Sequence, residues 1–341
     1  MNLSLQTPPH IRSKDSNFSM MLDVFIALIP VYCMSFYFYG KRSLYLLLLS
    51  VGISIAADFI CVLITRKIPN IKDLSMVITG MLIPLLMPVS ASWYMIAAAV
   101  IFAIVVAKHP FGGIGQNVFN PAVAGVAFAT ICFPNEMFAY VKPFTYLPIS
   151  ITETLNTVIS PAKALSLGGV PSFSLTDMFL GNVPGPMGAT NILVLFSCLL
   201  YLVVKKTITF SMSGCFLLGA SLTALIFQRA DMTAIQSLLY EMMSGYMIIT
   251  AVFLINDPVT SPKRTFPRCL YGFIAGVVAM GFRHLGRYEE SILFAILVMN
   301  ASVWILDLLG EYAAHYYRRK DSENRESEKA HSMAGKDRSD I

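Results

Sequence analysis

The strongest chemical signal in the chain is KHPFGGIGQNVFNPA, residues 108–122, set between two hydrophobic spans. Five glycine or proline breakers and two asparagines interrupt the backbone there. Irregular backbone at membrane depth is tolerated only where protein or a water-filled cavity surrounds it. Broken helices of this kind mark binding sites in membrane proteins more often than simple anchors. Gly112, Gly113, Asn117 and Asn120 are therefore candidate ligand contacts. Close helix packing through small residues is the competing reading.

A second polar stretch, NDPVTSP at 256–262, places the carboxylate of Asp257 at the end of another span. A carboxylate at the membrane edge is an ion-pathway candidate by default. It also suits a cap on the following turn, and both readings stand. A third stretch, 7–30, sets polar and basic residues directly before the first span, as a topogenic flank or as something more. A fourth puts Arg283, Arg287, Glu289 and Glu290 between two late spans, where solvated surface ion pairs are expected. The six cysteines form no CxxC pair, and the five histidines form neither HxxxH nor HExxH. Clustered thiolates for an iron–sulfur centre are thus missing, as are a catalytic triad, a Walker loop and GxGxxG.

Composition dictates the elements that must position these residues. Hydrophobic residues make up 56% and charged residues 13%, with a mean hydropathy of +0.65. Soluble domains carry about twice that share of charge. The expected fold is all-α, a polytopic membrane protein. Reading apolar windows and breakers together predicts about ten transmembrane helices, since a span needs roughly 20 apolar residues. They fall near 21–39, 44–65, 74–89, 92–107, 118–133, 190–204, 208–227, 238–255, 269–284 and 291–310.

With the N-terminus inside, the inner loops and tails receive fourteen Lys and Arg residues and the outer loops seven. That asymmetry follows the positive-inside rule and places both termini in the cytoplasm of a cell inner-membrane protein. The net charge of +5 then reflects loop topology rather than a nucleic-acid partner. Residues 1–20 read as a cytoplasmic segment and not a cleavable signal. Membrane halves at 21–133 and 190–310 flank an outer loop at 134–189. Five spans per half predict an inverted repeat with broken helices. The charged segment 311–341 is expected to be a disordered cytoplasmic tail.

Taken in order, PPHIRSKDS, MLDVFIALIP, KHPFGGIGQNVFNPAVAG, DMFLGNVPGPMGAT, NDPVTSP and RYEESILFAILVMN make the chain resemble the RnfD (RsxD) subunit of the Rnf ion-translocating oxidoreductase complex. The same family holds the NqrB subunit of the sodium-pumping NADH:quinone oxidoreductase. The resemblance covers all but the tail. It implies a membrane subunit, partnered by the other subunits and by lipid, of a complex passing electrons between ferredoxin and NAD while moving Na+ or H+. A transporter of solutes or ions that keeps the scaffold without redox function is the alternative.

The resemblance also implies FMN, bound through a phosphoester to a threonine in an outer D-x-x-S-x-A-T-x-L pattern. Here that stretch reads TVISPAKAL, 157–165. Ser160, Ala162 and Leu165 match; Thr157 replaces the acid and Lys163 the acceptor threonine. A lysine forms no phosphoester, so covalent flavin is not expected there. Lys163 can instead pair with a phosphate as a point charge. Gly188 and Thr190 offer a second, weaker match in GAT, where a helix start would favour a flavin phosphate or the residues are purely structural.

Overall fold

A computed structural model describes residues 17–66, 73–113, 115–149, 155–228, 232–286 and 288–336, with side chains through Ala314. The described residues form helices and loops, without a strand. In chain order these are α1 (Asn17–Tyr39), α2 (Lys41–Ile64), α3 (Ser75–Leu85), α4 (Trp93–Ile101), α5 (Pro121–Cys132), α6 (Pro134–Met137), α7 (Pro161–Ser166), α8 (Leu175–Leu180), α9 (Ile192–Val204), α10 (Phe210–Ile226), α11 (Ala234–Met243), α12 (Met247–Ile249), α13 (Thr265–Leu285) and α14 (Ile292–Lys336). α4 runs on as a π-helical stretch, Phe102–Lys108, and α12 as another, Thr250–Leu254.

Each of the ten apolar windows holds a helix. Four (α1, α2, α13 and Ile292–Ala314 of α14) are long and apolar enough to cross a membrane. Ala234–Met243 with Met247–Leu254, bent by 64°, makes a fifth. The remaining apolar helices are shorter. Eleven-residue α3 rises only about 16 Å, roughly half the hydrocarbon thickness. Its residues from Thr79 to Leu85 are all buried, so protein rather than lipid surrounds it. The chain is thus a multi-pass membrane protein with a broken span.

Small residues set how closely the longer helices approach. α10 lies along α13. A Cβ on Gly276 would fall on the Phe216 carbonyl, and one on Gly219 on the Phe273 carbonyl. In the first half, Gly125 of α5 lies in the same way against the Ala99 carbonyl of α4. Contacts of this kind let dispersion and weak Cα–H bonds act between helices that gain nothing from expelling water.

Two helix breaks are held by buried arginines. After α3 the chain turns through 86–92 before α4. Arg42, 3% exposed at the start of α2, donates to the carbonyls of Val89 (2.6 Å) and Ala91 (2.8 Å) in that turn. It also binds the carbonyls of Pro148 (2.8 Å) and Ile149 (2.6 Å) in the long loop. At the 64° break, Arg283 donates to the carbonyls of Glu241 (2.7 Å) and Ser244 (2.8 Å) at the end of α11. Arg283 is 1% exposed, and Glu289 and Glu290 are 2% exposed, so this group is not the solvated surface expected of it. The break recruits Arg283 and Glu290 because its unpaired backbone groups need partners away from water, while Glu289 pairs with Ser160 of α7. Arg287 lies outside the described residues.

The tail also departs from expectation. α14 does not stop near residue 310; its backbone stays helical to Lys336. Glu, Lys, Arg and Ala are strong helix formers, and extending an existing helix avoids the cost of nucleation. The N-terminal stretch before Asn17 lies outside the described residues.

Gly276→Val is expected to force α10 and α13 apart and lower the thermal unfolding temperature in detergent, at a cost of about 1–3 kcal/mol. Gly281→Ala, where an added Cβ meets nothing within 4 Å, should leave it unchanged. Equal tolerance of the two would show that the seam does not hold these helices.

Candidate functional site

The two polar segments converge. A cavity of about 360 Å³ is lined by Lys108, Gly115, Asn117 and Asn120 from the first segment and by Asn256, Asp257 and Lys263 from the second. The starts of α1 (Asn17) and α3 (Ser75) and the end of α9 (Leu202) close it. Each segment leaves a π-helical stretch, which releases carbonyls from the regular α ladder and recurs at functional positions in helices.

Lys108 ends the first π stretch and is 2% exposed. Its ammonium lies 2.9 Å from Asp58 Oδ1 on α2 and 3.4 Å from Asp73 Oδ2 before α3. His109 Nε2 also meets Asp58 Oδ1 at 2.9 Å. Beyond this cluster the backbone turns through Gly112, Gly113 and Gly115, with φ of 114°, 93° and 79°. Only glycine adopts such angles at little cost. The Gln116 side chain occupies the space a Cβ on Gly112 would need. Asn117, with its amide turned so that nitrogen donates, binds the carbonyls of Gly113 (2.9 Å) and Lys108 (3.2 Å). Asn120 caps α5, its Oδ1 accepting from the amides of Ala122 (3.1 Å) and Val123 (3.3 Å), with Pro121 at the first helical position. Its Nδ2 donates to the Leu254 carbonyl at 3.4 Å, tying the loop to the second π stretch.

Asp257 serves as turn cap and cavity wall together. Its Oδ1 accepts from the Val259 amide (3.1 Å) and its Oδ2 from the Thr260 hydroxyl (3.3 Å). Burial raises its pKa, and those two hydrogen bonds oppose the rise. Asn256 donates to Ser213 Oγ (2.7 Å) and the Ala251 carbonyl (2.8 Å). Its own buried Oδ1 has no hydrogen-bond partner among the described residues. An acid, two lysines and oxygen-bearing amides therefore meet at one opening. Such a wall can take up a small hydrated cation or an anion.

Ser160, Lys163, Gly188 and Thr190 sit elsewhere, toward the other end of α3. Gly188 N–H donates to the Leu85 carbonyl at 2.8 Å, whereas the cavity meets α3 at Ser75. The eight candidate ligand contacts thus form two separate groups. Ser160 caps the six-residue α7, accepting from Lys163 N–H at 3.0 Å, and donates to Glu289 Oε2 at 2.9 Å. A buried carboxylate beside that helix start repels a phosphate, and Lys163 has no hydroxyl to esterify. Thr190 is 6% exposed, with its methyl packed on Gly185. A Cβ on Gly188 would strike Leu85. Lys163 therefore offers no oxygen for a phosphoester, and the Thr190 hydroxyl sits on a buried residue.

Sequence reasoning missed Asp58, Asp73, Glu241 and the clamp role of Arg42. Asp58 and Glu241 carried a usable signal, as carboxylates inside apolar windows.

Apolar helices broken at points where buried ionic side chains gather define a polytopic membrane protein of the transporter or translocase class. The chain belongs to the NQR2, RnfD, RnfE family, whose family model matches residues 4–313. It is 31% identical over 309 residues to the D subunit of the Na(+)-translocating ferredoxin:NAD(+) oxidoreductase complex of Acetobacterium woodii, covering 90% of this chain and 93% of that one. It is 28% identical over 339 residues to the D subunit of the ion-translocating oxidoreductase complex of Vibrio cholerae, covering 90% and 97%. It is also 28% identical over 313 residues to the D subunit of the proton-translocating ferredoxin:NAD(+) oxidoreductase complex of Clostridium ljungdahlii, covering 89% and 93%.

Lys108→Met leaves two largely buried carboxylates without their shared cation. The expected cost is about 3–5 kcal/mol, read as a lower unfolding temperature in detergent. Adding Asp58→Asn should recover part of the loss. An unchanged unfolding temperature in the single variant would contradict the pairing.

Proposed function

We propose that this chain is a membrane subunit of a complex that couples electron transfer of the ferredoxin:NAD type to movement of Na+ or H+. The observation that carries the site assignment is the convergence of the two polar, proline-bearing segments on one cavity. Asp257 is the ion-handling carboxylate there, supported by the unpartnered Asn256 oxygen beside it. Family membership and the printed functions of its relatives support the redox partner class. The chain lies in the cell inner membrane with ten spans and both termini cytoplasmic. The cavity agrees with that topology, because the segments that line it are all assigned to one face by the charge asymmetry. Two inverted halves are supported by the paired π stretches, each followed by a polar loop.

FMN, implied by the family, is not held covalently in this chain; any flavin it carries binds without a phosphoester. The same departure at Lys163 favours a second reading, a scaffold-preserving ion transporter without redox function. In inverted membrane vesicles carrying the whole complex, loss of this chain is expected to abolish both ferredoxin-dependent NAD reduction and ion uptake. Asp257→Asn should slow uptake about tenfold, equivalent to ~1.4 kcal/mol in a barrier. The denatured wild-type band should show no flavin fluorescence, while Thr157→Asp with Lys163→Thr and a flavin transferase should yield a fluorescent one. NAD reduction that persists without the chain would establish the second reading. A fluorescent wild-type band would refute non-covalent binding.

A further inference from the structure

Asn300 closes the RYEESILFAILVMN stretch and stands eight residues inside the membrane-crossing part of α14, Ile292–Ala314. It is 4% exposed. An amide buried there is costly unless its oxygen and its nitrogen both find partners. In the orientation that satisfies both, Oδ1 accepts the Asn120 N–H at 3.0 Å, and Nδ2 donates to the Tyr271 hydroxyl at 2.8 Å and the Ile296 carbonyl at 3.3 Å. Tyr271 belongs to α13 and is itself buried. One side chain of α14 thus joins the head of α5 to α13.

Asn120 is fixed at three points. Its Oδ1 caps α5, its Nδ2 reaches the Leu254 carbonyl, and its N–H is held by Asn300. The cap is local, but Leu254, Tyr271 and Asn300 all lie beyond the long loop 134–189. The other two bonds therefore tie the first polar segment to the later helices. At 3.4 Å the Leu254 bond is the longer, so the 3.0 Å bond to Asn300 is the firmer tie. Leu254 comes two residues before Asn256, which lines the cavity with Asp257, while Asn117 and Asn120 line it from the first segment. Apolar helices packed side by side can slide. A buried amide with partners on two neighbours selects one register, as a single buried asparagine does in a coiled coil. The residues beside Asn300 on its own helix, Leu293, Ile296 and Met299, are buried and apolar, so the amide supplies that selection.

We propose that Asn300 is a positioning residue for ion binding: it sets α14 against the head of α5 and so holds Asn117 and Asn120 in place against Asn256 and Asp257. Asn300 does not itself line the cavity and acts through the Asn120 backbone. The inference rests on the ion-handling reading of that cavity. Without the amide oxygen, the Asn120 N–H is buried with no partner, and the segment opens to find one. Groups that must meet around one ion then drift apart. The loss falls on affinity more than on turnover, because every group that touches the ion is still present.

Two measurements test it. In lipid nanodiscs, amide exchange of the full chain should quicken at least about tenfold across 117–123 in Asn300→Ala, as for a buried donor left unpaired, while the seam between α10 and α13 stays protected. Asn300→Asp keeps an oxygen for the Asn120 N–H and should hold exchange there near wild type. In inverted vesicles carrying the whole complex, Asn300→Ala should raise the half-saturating concentration of the transported Na+ or H+ by about fivefold or more. Its maximal uptake rate should change by less than about twofold, and Asn300→Asp should recover most of the affinity. Asp257→Asn measured alongside separates the two readings. If that change leaves uptake untouched, the cavity reading fails, and exchange at 117–123 alone decides for or against Asn300. The proposal is overturned by unchanged exchange at 117–123 or by loosening that spreads equally through α10 and α13. It is also overturned if Asp257→Asn slows uptake while Asn300→Ala leaves half-saturation in place.

Discussion

Breaking a helix inside a membrane exposes amides and carbonyls that no water satisfies, and the rest of this structure depends on how that problem is solved. Each unpaired group costs several kcal/mol in hydrocarbon. Arg42 answers it after α3 with four charge-assisted bonds to carbonyls of two loops. Arg283 answers it after α11, capping the outgoing carbonyls while Glu290 takes the incoming Tyr246 amide. The Tyr246 hydroxyl then donates to the Leu86 carbonyl, so the two breaks are tied to each other. Polar backbone thus survives away from water because buried ionic side chains hold it.

The same constraint explains why the functional features cluster at the ends of short helices. Full-length spans leave nothing unsatisfied and offer little for a ligand to bind. Where α4 and α12 loosen into π turns and the chain leaves them, side chains such as Asn117, Asn120 and Asp257 serve both as backbone caps and as cavity lining. Cap and binding site are therefore not alternatives in this protein. Lys108 has a parallel double role, neutralising Asp58 and Asp73 while lining the cavity. At the other end, Glu290 accepts the Tyr246 amide at the 64° bend and so serves the break directly.

Much of the fold was legible in one dimension because hydropathy alone dictates where a chain is buried in lipid. Windows as short as 74–89 and 118–133 still yielded helices, since their apolar runs and flanking breakers are local properties. The polar loop 108–122 and Asp257 were legible as candidates for the same reason, though nothing local revealed that they meet in one cavity. The placement of Arg42, Arg283, Glu289 and Glu290 was not legible. Loop position suggests solvent, whereas the need of a distant helix break draws these side chains inward. Asp58 and Glu241 interrupt apolar windows and could have been read as intramembrane acids. Their partners, 50 and 42 residues away along the chain, could not. The helical run to Lys336 was missed because charge-rich composition resembles disorder until a preceding helix supplies the nucleus.

The central claim, that buried arginines hold the breaks open and ordered, is tested most directly by amide hydrogen exchange on the full chain in nanodiscs. Charge-assisted bonds of this kind contribute about 1.5–3 kcal/mol each. Arg42→Met should therefore speed exchange in 86–92 at least about tenfold while leaving 243–247 as it was, and Arg283→Met should do the reverse, because local opening follows local stability. Unchanged protection of both segments in both variants would contradict the account.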